Sequence, residues 1–402
     1  LTHGNFSFET SAVLAAVTIS PDDEAILFLP MAHIFAKVLV AVQMRVGFPV
    51  AFAESVAKTL DNVAEINPTI FPSVPRLYEK IHAVASDKVA EKGGLTKTIF
   101  DWSLGVGKEA ARARAKNEPM GALLSIRYAI AKKLVLDKIK ARFGSRIRFA
   151  ICGGAPLAEE LCVWFHGAGV EIYEGYGLTE STAASNITHP GALRFGTVGR
   201  AMEGVDVKLA SDGEVLIRGG NVMKGYYKKP EETAAVMDPD GFFHSGDIGV
   251  IDADGYLKIT DRKKDILVTA GGKNVAPQNI ENLLKQAPMV SQVVVLGDNK
   301  PYLVALVTLD PDAAARFAKE NGKSDDLTKL ATDADAIARI KTEVDAVNGK
   351  LSQYETIKKF VILPKDFSIE SGELTPTLKV KRKVVAERYA SEVDALYASG
   401  KE

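Results

Sequence analysis

Cysteine is nearly absent: 402 residues hold two, Cys152 and Cys162, both among apolar neighbours. Buried reduced thiols are expected there in preference to a disulfide, which points to a reducing, cytoplasmic compartment. The two cysteines lack paired zinc-site spacing, and the six histidines at 3, 33, 82, 166, 189 and 244 are scattered, which excludes an ordinary zinc centre. No uninterrupted apolar run reaches the roughly 18 residues of a spanning helix. A net charge of −1 carries neither the basic bias of a nucleic-acid binder nor an acidic solvating tail. Neither a G-x-S-x-G elbow nor a G-x-G-x-x-G fingerprint in its proper setting is present, which sets aside serine hydrolases and nicotinamide enzymes. What remains is a globular composition, 47% apolar and 25% charged, in a chain too long for one core.

The order of patterns suggests how the chain divides. Asn5 is placed to cap a helix through Phe6–Thr18, and Ala25–Leu29 reads as a buried strand ending at Pro30. Ile66–Val74 reads as another strand, and Pro75 suits the first turn of the helix after it. Residues 83–143 form a helical stretch rich in Lys and Ala, broken at Gly93-Gly94 and near Asn117–Gly121. Ile147–Cys152, the turn Gly153-Gly154-Ala155-Pro156, Leu157–His166 and Val170–Tyr173 make a strand–turn–helix–strand unit of the parallel kind. Ligands of such sheets sit beyond the carboxyl ends of the strands. From 198 to 262 short strands and Gly/Asp turns predict a small antiparallel or barrel-like β subdomain. Beyond it, helices and strands alternate to the end, with helices expected near 276–286, 311–320, 331–348 and 381–396. The expectation is therefore an α/β chain with a large domain at 1–262 and a smaller α+β domain at 263–402.

Certain residues suit phosphate chemistry. In Tyr173-Glu-Gly-Tyr-Gly-Leu-Thr-Glu180, the Thr179 hydroxyl can donate to a phosphate, the Glu180 carboxylate can bind a hard cation, and Tyr176 can stack on a base. Read alone, the same stretch is also an ordinary strand-ending turn with an exposed acid. Asp247, after Gly246, can accept from both hydroxyls of a ribose. An isolated Gly-Asp is equally a simple turn.

Together with Asp261-Arg262-Lys263-Lys264-Asp265, these motifs resemble the acyl-adenylating superfamily, and within it the long-chain fatty acid–CoA ligases. The resemblance covers essentially the whole chain. It implies ATP-dependent activation of a fatty acid to acyl-AMP and transfer to CoA, with ATP, Mg²⁺ and CoA as cosubstrates and cofactor. By resemblance, Gly153, Gly154, Ala155, Tyr176 and Gly177 lie along adenosine, Thr179 and Glu180 handle phosphate and Mg²⁺, and Asp247 and Arg262 hold the ribose or phosphates. Lys264 takes the hinge position, within 262–265. Gly271 and Gly272 match a glycine loop near the CoA arm. Lys379, in Ser371-Gly-Glu-Leu-Thr-Pro-Thr-Leu-Lys-Val-Lys-Arg382, matches the lysine that stabilises adenylation, with Lys381, Arg382 and Lys383 as rivals. Lys359 is a weaker candidate for CoA phosphates, and His33, in Pro-Met-Ala-His-Ile-Phe, matches a residue at the carboxylate pocket.

The family places a lysine-ending phosphate loop just before the segment that here opens the chain, Leu1-Thr-His-Gly-Asn5. The expectation is therefore a truncated large domain with uncovered sheet edges, unable to adenylate by itself. Two other functions stay open: a fatty acyl-AMP ligase loading an acyl carrier protein, and a non-catalytic nucleotide- or acyl-binding protein. Contact with a membrane surface also stays open, since a long-chain substrate partitions there.

Overall fold

The computed structural model describes residues 1–56, 58–375 and 379–398, with the side chains of 87, 88 and 90–92 outside the description. The chain separates into two compact units, Leu1–Ile259 and Thr260–Glu402.

Unit 1 is built on a seven-stranded sheet of β1 (Ala25–Leu27), β2 (Val50–Phe52), β3 (Ile70–Ser73), β4 (Phe149–Gly153), β5 (Ile172–Tyr176), β6 (Asn186–Ile187) and β7 (Arg200–Ala201). Its order is β2-β1-β3-β4-β5-β6-β7. The first five strands pair parallel and the last two antiparallel. Parallel strands are covered on both faces and so lack polar alternation; β1 and β3 are buried at every position. Helices Pro75–Lys92, Gly94–Ala115 and Glu159–Gly167 contribute to one core with Phe71, Tyr78, Phe143 and Phe165. Helices His3–Ala16 and Ile34–Val46 contribute to the other, with Phe48, Tyr173 and Met202.

A second sheet follows: β8 (Val205–Leu209), β9 (Glu214–Gly219), β10 (Phe243–Ile251) and β11 (Leu257–Arg262). Its order is β11-β10-β9-β8. Of the antiparallel or barrel-like forms expected for this subdomain, the chain takes the open one. The four strands form an open sheet whose end strands do not pair, and its inner residues Val215, Ile217 and Leu257 join the second core of the large sheet.

The edge strands β2 and β7 are three and two residues long, and short edges are a common way to limit unwanted pairing. Smaller differences have local causes. Thr2, not Asn5, caps the first helix: its hydroxyl accepts from the Asn5 N–H at 3.2 Å while Asn5 reaches back to the Thr2 N–H at 2.8 Å. Ile66 closes the helix Thr59–Ile66, and Asn67, with φ 55°, turns the chain into β3.

Unit 2 holds the hairpin of β12 (Leu267–Val268) and β13 (Asn274–Val275), and a three-stranded sheet of β14 (Val290–Leu296), β15 (Leu303–Leu309) and β16 (Ile357–Ile362). β14 pairs antiparallel with β15, and β16 parallel with it. Helices Pro277–Leu284, Pro311–Glu320 and Ala334–Asn348 contribute to one core. Val385 of helix Arg382–Arg388 joins a smaller cluster with Val294, Leu306 and Phe367.

Candidate active site

β5 runs to Tyr176, so this tyrosine ends a strand of the large sheet and is only 9% exposed. The turn after it folds tightly on itself. Ser181 Oγ accepts from the Leu178 N–H at 2.9 Å, the Ala183 N–H donates to Leu178 O at 3.1 Å, and the Ser185 N–H returns to Tyr176 O at 2.8 Å. Gly177 permits this closure, because a Cβ there would lie 1.9 Å from the Ala183 carbonyl oxygen. Thr182 and Ala183 take positive φ values of 52° and 88°, a conformation that costs non-glycine residues roughly 1–2 kcal/mol each. Thr179 is thereby exposed and Glu180 half-buried. Glu180 is held at both ends, Oε1 accepting from the Tyr226 hydroxyl at 3.0 Å and its backbone oxygen from the Met223 N–H at 2.7 Å.

Asp247 reaches the same place from the second sheet. β10 carries a bulge between His244 and Ile248, with Gly246 at φ 70°; a bulge re-aims the side chains beside it. The buried Glu214 carboxylate fixes the bulge, accepting from the Gly246 N–H at 2.9 Å and lying 3.1 Å from His244 Nδ1. The result is a buried bond from the Tyr176 hydroxyl to Asp247 Oδ2 at 2.8 Å. The structure thus brings together Tyr176 and Asp247, two residues 71 positions apart.

Sequence reasoning missed the support beneath this turn. Glu9 is fully buried, and its Oε1 accepts from the Ala184 N–H at 2.9 Å. Burial pushes its carboxyl up to about 9, so it is a neutral acid at pH 7. Asn5 Nδ2 donates to Gly220 O and Val222 O, each at 2.8 Å, and Asn221 Nδ2 to Ala184 O at 3.0 Å. The first helix therefore fastens two loops at once. A signal for Glu9 existed: Asn5, Glu9, Ala12, Val13 and Ala16 share one buried helical face. Tyr226 and Glu214 carry no comparable signal.

Gly153 closes β4 opposite Gly175 of β5, Gly154 is exposed beyond it and Ala155 half-buried. The segment carrying His33 adjoins this turn, since Phe35 Cε1 lies 3.6 Å from where a Gly153 Cβ would stand. His33 is half-buried and starts the helix Ile34–Val46 without a side-chain capping bond. Cys152 and Cys162 are buried and unoxidised, and burial raises both thiols, so neither is a nucleophile at neutral pH.

In unit 2, Asp261 is buried and accepts from the Arg262 N–H at 2.7 Å and the Gln278 N–H at 3.0 Å, with burial raising it to about 6. Arg262 and Lys264 are exposed beside it. Gly271 and Gly272 are exposed at the tip of the β12–β13 hairpin. Lys379 is half-buried, with backbone bonds to Thr375 at 2.8 and 3.0 Å; Pro376, Thr377 and Leu378 of its motif lie outside the described residues. Arg382 is occupied otherwise: it grips the buried Glu281 through two bonds at 2.7 and 2.9 Å and donates to Val295 O at 2.7 Å. Lys383 is 90% exposed, and Lys359 stands 5.7 Å from the Tyr302 ring centre.

The oxygen donors Thr179 and Glu180 fit a hard cation. Among the described residues no group of three or more His, Cys, Asp or Glu could form a protein-only cage. Mg²⁺ commonly takes one or two carboxylates and completes its shell with phosphates and water.

Comparison with known proteins gives the family. The sequence profile described as AMP-binding enzyme matches residues 1–227, and that of the AMP-binding enzyme C-terminal domain matches 264–401. The expected remnant is corrected to a compact unit over residues 1–259, which the AMP-binding profile matches over 1–227. The chain is 40% identical to long-chain-fatty-acid–CoA ligase FadD15 of Mycobacterium bovis, over 99% of its length and 66% of that protein. It is 38% identical to the putative fatty-acid–CoA ligase fadD11 of Mycobacterium tuberculosis, over 99% and 71%. It thus spans about two thirds of the length of these relatives. The adenylation domain of a carboxylate reductase from Mycobacterium chelonae superposes with a TM-score of 0.72 at 25% identity, over 93% of this chain and 54% of that one. The A-PCP didomain of a carboxylic acid reductase from Segniliparus rugosus, in complex with AMP, shares the fold with a TM-score of 0.71 at 22% identity, over 98% and 51%. The chain belongs to the AMP-binding enzyme family.

Proposed function

We propose that the protein activates a long-chain fatty acid with ATP and transfers the acyl group to CoA. In the first step a carboxylate oxygen attacks the α-phosphorus and the bond to pyrophosphate breaks. In the second the CoA sulfur attacks the acyl carbon, the bond to AMP breaks and the thiol proton is lost. No enzyme nucleophile is needed, because the mixed anhydride is itself the activated species.

The buried Tyr176–Asp247 bond beside the Thr179–Glu180 turn carries this reading. Tyr176 orients Asp247 toward the ribose diol, with Gly153, Gly154, Ala155 and Gly177 flanking adenosine by close backbone approach. Thr179 donates to phosphate, and Glu180, steadied by Tyr226, would hold Mg²⁺, whose charge would offset that of the departing pyrophosphate. His33 borders the carboxylate. Arg262 adds a permanent charge for ribose or phosphate, and Lys379 stabilises the developing charge of adenylation. Lys264 is the pivot of the small domain, within a division at 1–262 and 263–402, and Gly271 and Gly272 approach the CoA arm.

The names of the relatives support the fatty acid and CoA assignments. The test is AMP release dependent on ATP and palmitate, measured with and without CoA. CoA-dependent release with palmitoyl-CoA as product is expected. Palmitoyl-AMP accumulating unchanged by CoA, and consumed by a carrier-protein thiol, would replace this reading with carrier loading.

A further inference from the structure

One helical face of unit 1 has no part in this chemistry. Leu123, Ile126, Ile130 and Leu134 are 71%, 61%, 48% and 43% exposed. Their spacing lines them along one side of helix Ala122–Ala131 and the π-turn Lys132–Leu136. The segment is not loosely held. Ala131 and Leu136 are buried in the core, and Leu124, Tyr128 and Val135 pack against it. Four large aliphatic side chains therefore project outward from a face fixed in place.

Charge accompanies them. Residues 122–146 contain Arg127, Lys132, Lys133, Lys138, Lys140, Arg142 and Arg146 against one acid, Asp137, in a chain whose net charge is −1. Arg127, Lys132 and Arg146 make ion pairs with Glu109, Asp137 and Glu24. Lys133, Lys138 and Arg142 are exposed along the same segment. An aliphatic stripe edged by cations is the pattern of a helix lying in the plane of a membrane surface. A second copy of the chain would fit it poorly, because a two-fold pairing of the stripe would set like-charged edges against each other. A nucleic acid would meet the cations but leave the aliphatic side chains unmatched.

We propose that this stripe seats the protein on an anionic lipid bilayer. Leu123, Ile126, Ile130 and Leu134 enter the acyl boundary, and Lys133, Lys138 and Arg142 meet the headgroups. The interaction is reversible and peripheral, since among the described residues no helix is long and apolar enough to cross a membrane. It stands independently of the ligase reading, because vesicle binding is scored without turnover.

The test is co-sedimentation of the whole chain with vesicles of phosphatidylcholine alone or containing about one third phosphatidylglycerol, at low and high salt. The wild type is expected to bind the anionic vesicles and to release as salt rises. An Ile126→Ser/Ile130→Ser double variant should lose at least tenfold in partitioning with its melting temperature kept. Lys133→Glu/Lys138→Glu should lose about fivefold for each cation removed, and carries the test by itself if the serine variant fails to fold. Binding by either folded variant equal to wild type, or no binding by wild type, would overturn the proposal. So would a dimer in ultracentrifugation that the serine variant abolishes, which would assign the stripe to contact between copies.

Discussion

At the residue scale, the turn that presents Thr179 and Glu180 depends on groups that never meet a ligand. Gly177→Ala places a methyl group 1.9 Å from the Ala183 oxygen, which only displacement of the turn can relieve. AMP release is expected to fall at least a hundredfold while far-UV circular dichroism stays native; an active Gly177→Ala enzyme would show that the turn can move. Tyr176→Phe removes the phenolic donor from the buried Asp247 carboxylate, at a cost of roughly 1–3 kcal/mol in stability. A lower melting temperature and a raised KM for ATP, with KM for the fatty acid unchanged, is the expected pattern. Glu9 gives a different prediction, because its carboxyl sits at about 9. The native state keeps a proton that the unfolded chain gives up near its ordinary value, so this stability is present at low pH and is lost as pH rises through 9. Glu9→Gln keeps an acceptor for the Ala184 N–H and cannot ionise. Its melting temperature should fall less than that of the wild type between pH 6.5 and 9, and equal slopes would refute this account of Glu9.

Elements were legible in sequence where local chemistry and tertiary context agree. Val205–Leu209 and the helix beginning at Pro311 both lie where their patterns put them. Strands β6 and β7 had no signal, because two-residue strands owe their existence to the neighbours they pair with. The choice between the antiparallel and barrel-like forms was open for a related reason: short strands with Gly/Asp turns fit a barrel and an open sheet equally well, and only the covering of one face by the large sheet's core decides between them. Arg382 shows the same limit for a single charge. From sequence it was a rival of Lys379, and the strand carbonyl and buried Glu281 that engage it are 87 and 101 residues away. Removing one partner of a buried ion pair costs about 3–5 kcal/mol. Arg382→Ala should therefore lower one calorimetric transition, that of unit 2, and leave the other unmoved; a uniform shift of both would contradict the division at 259–260.

For the whole molecule, buried titratable groups set a pH window. Burial lowers His82 and His166 to about 4 and raises Glu174 to about 8, alongside Glu9 at about 9, and all four lie in unit 1. Neutral histidines contribute stability above their unfolded value of about 6.5, lost as pH falls through 4. The protonated acids contribute below their unfolded value of about 4.5, lost as pH rises through 8 and 9. The opposing slopes offset one another between these unfolded values, so unit 1 should melt at nearly constant temperature from about pH 4.5 to 6.5. It should then lose at least about 5 °C by pH 9; a flat profile to pH 9 would show that the acids ionise without cost. Of the site itself, the motif residues were proposed from sequence and Glu9 left a signal only in its helical face, whereas Glu214 and Tyr226 left none, because each acts on a partner at least 30 residues away. One consequence remains in the Tyr176–Asp247 bond. It joins the end of a strand in one sheet to a bulge in the other, so it is a clasp as well as a recognition element. A ribose diol that donates to Asp247 beside the phenol would tighten the clasp as it binds, and amide hydrogen exchange in β10 would then report nucleotide occupancy from inside the protein.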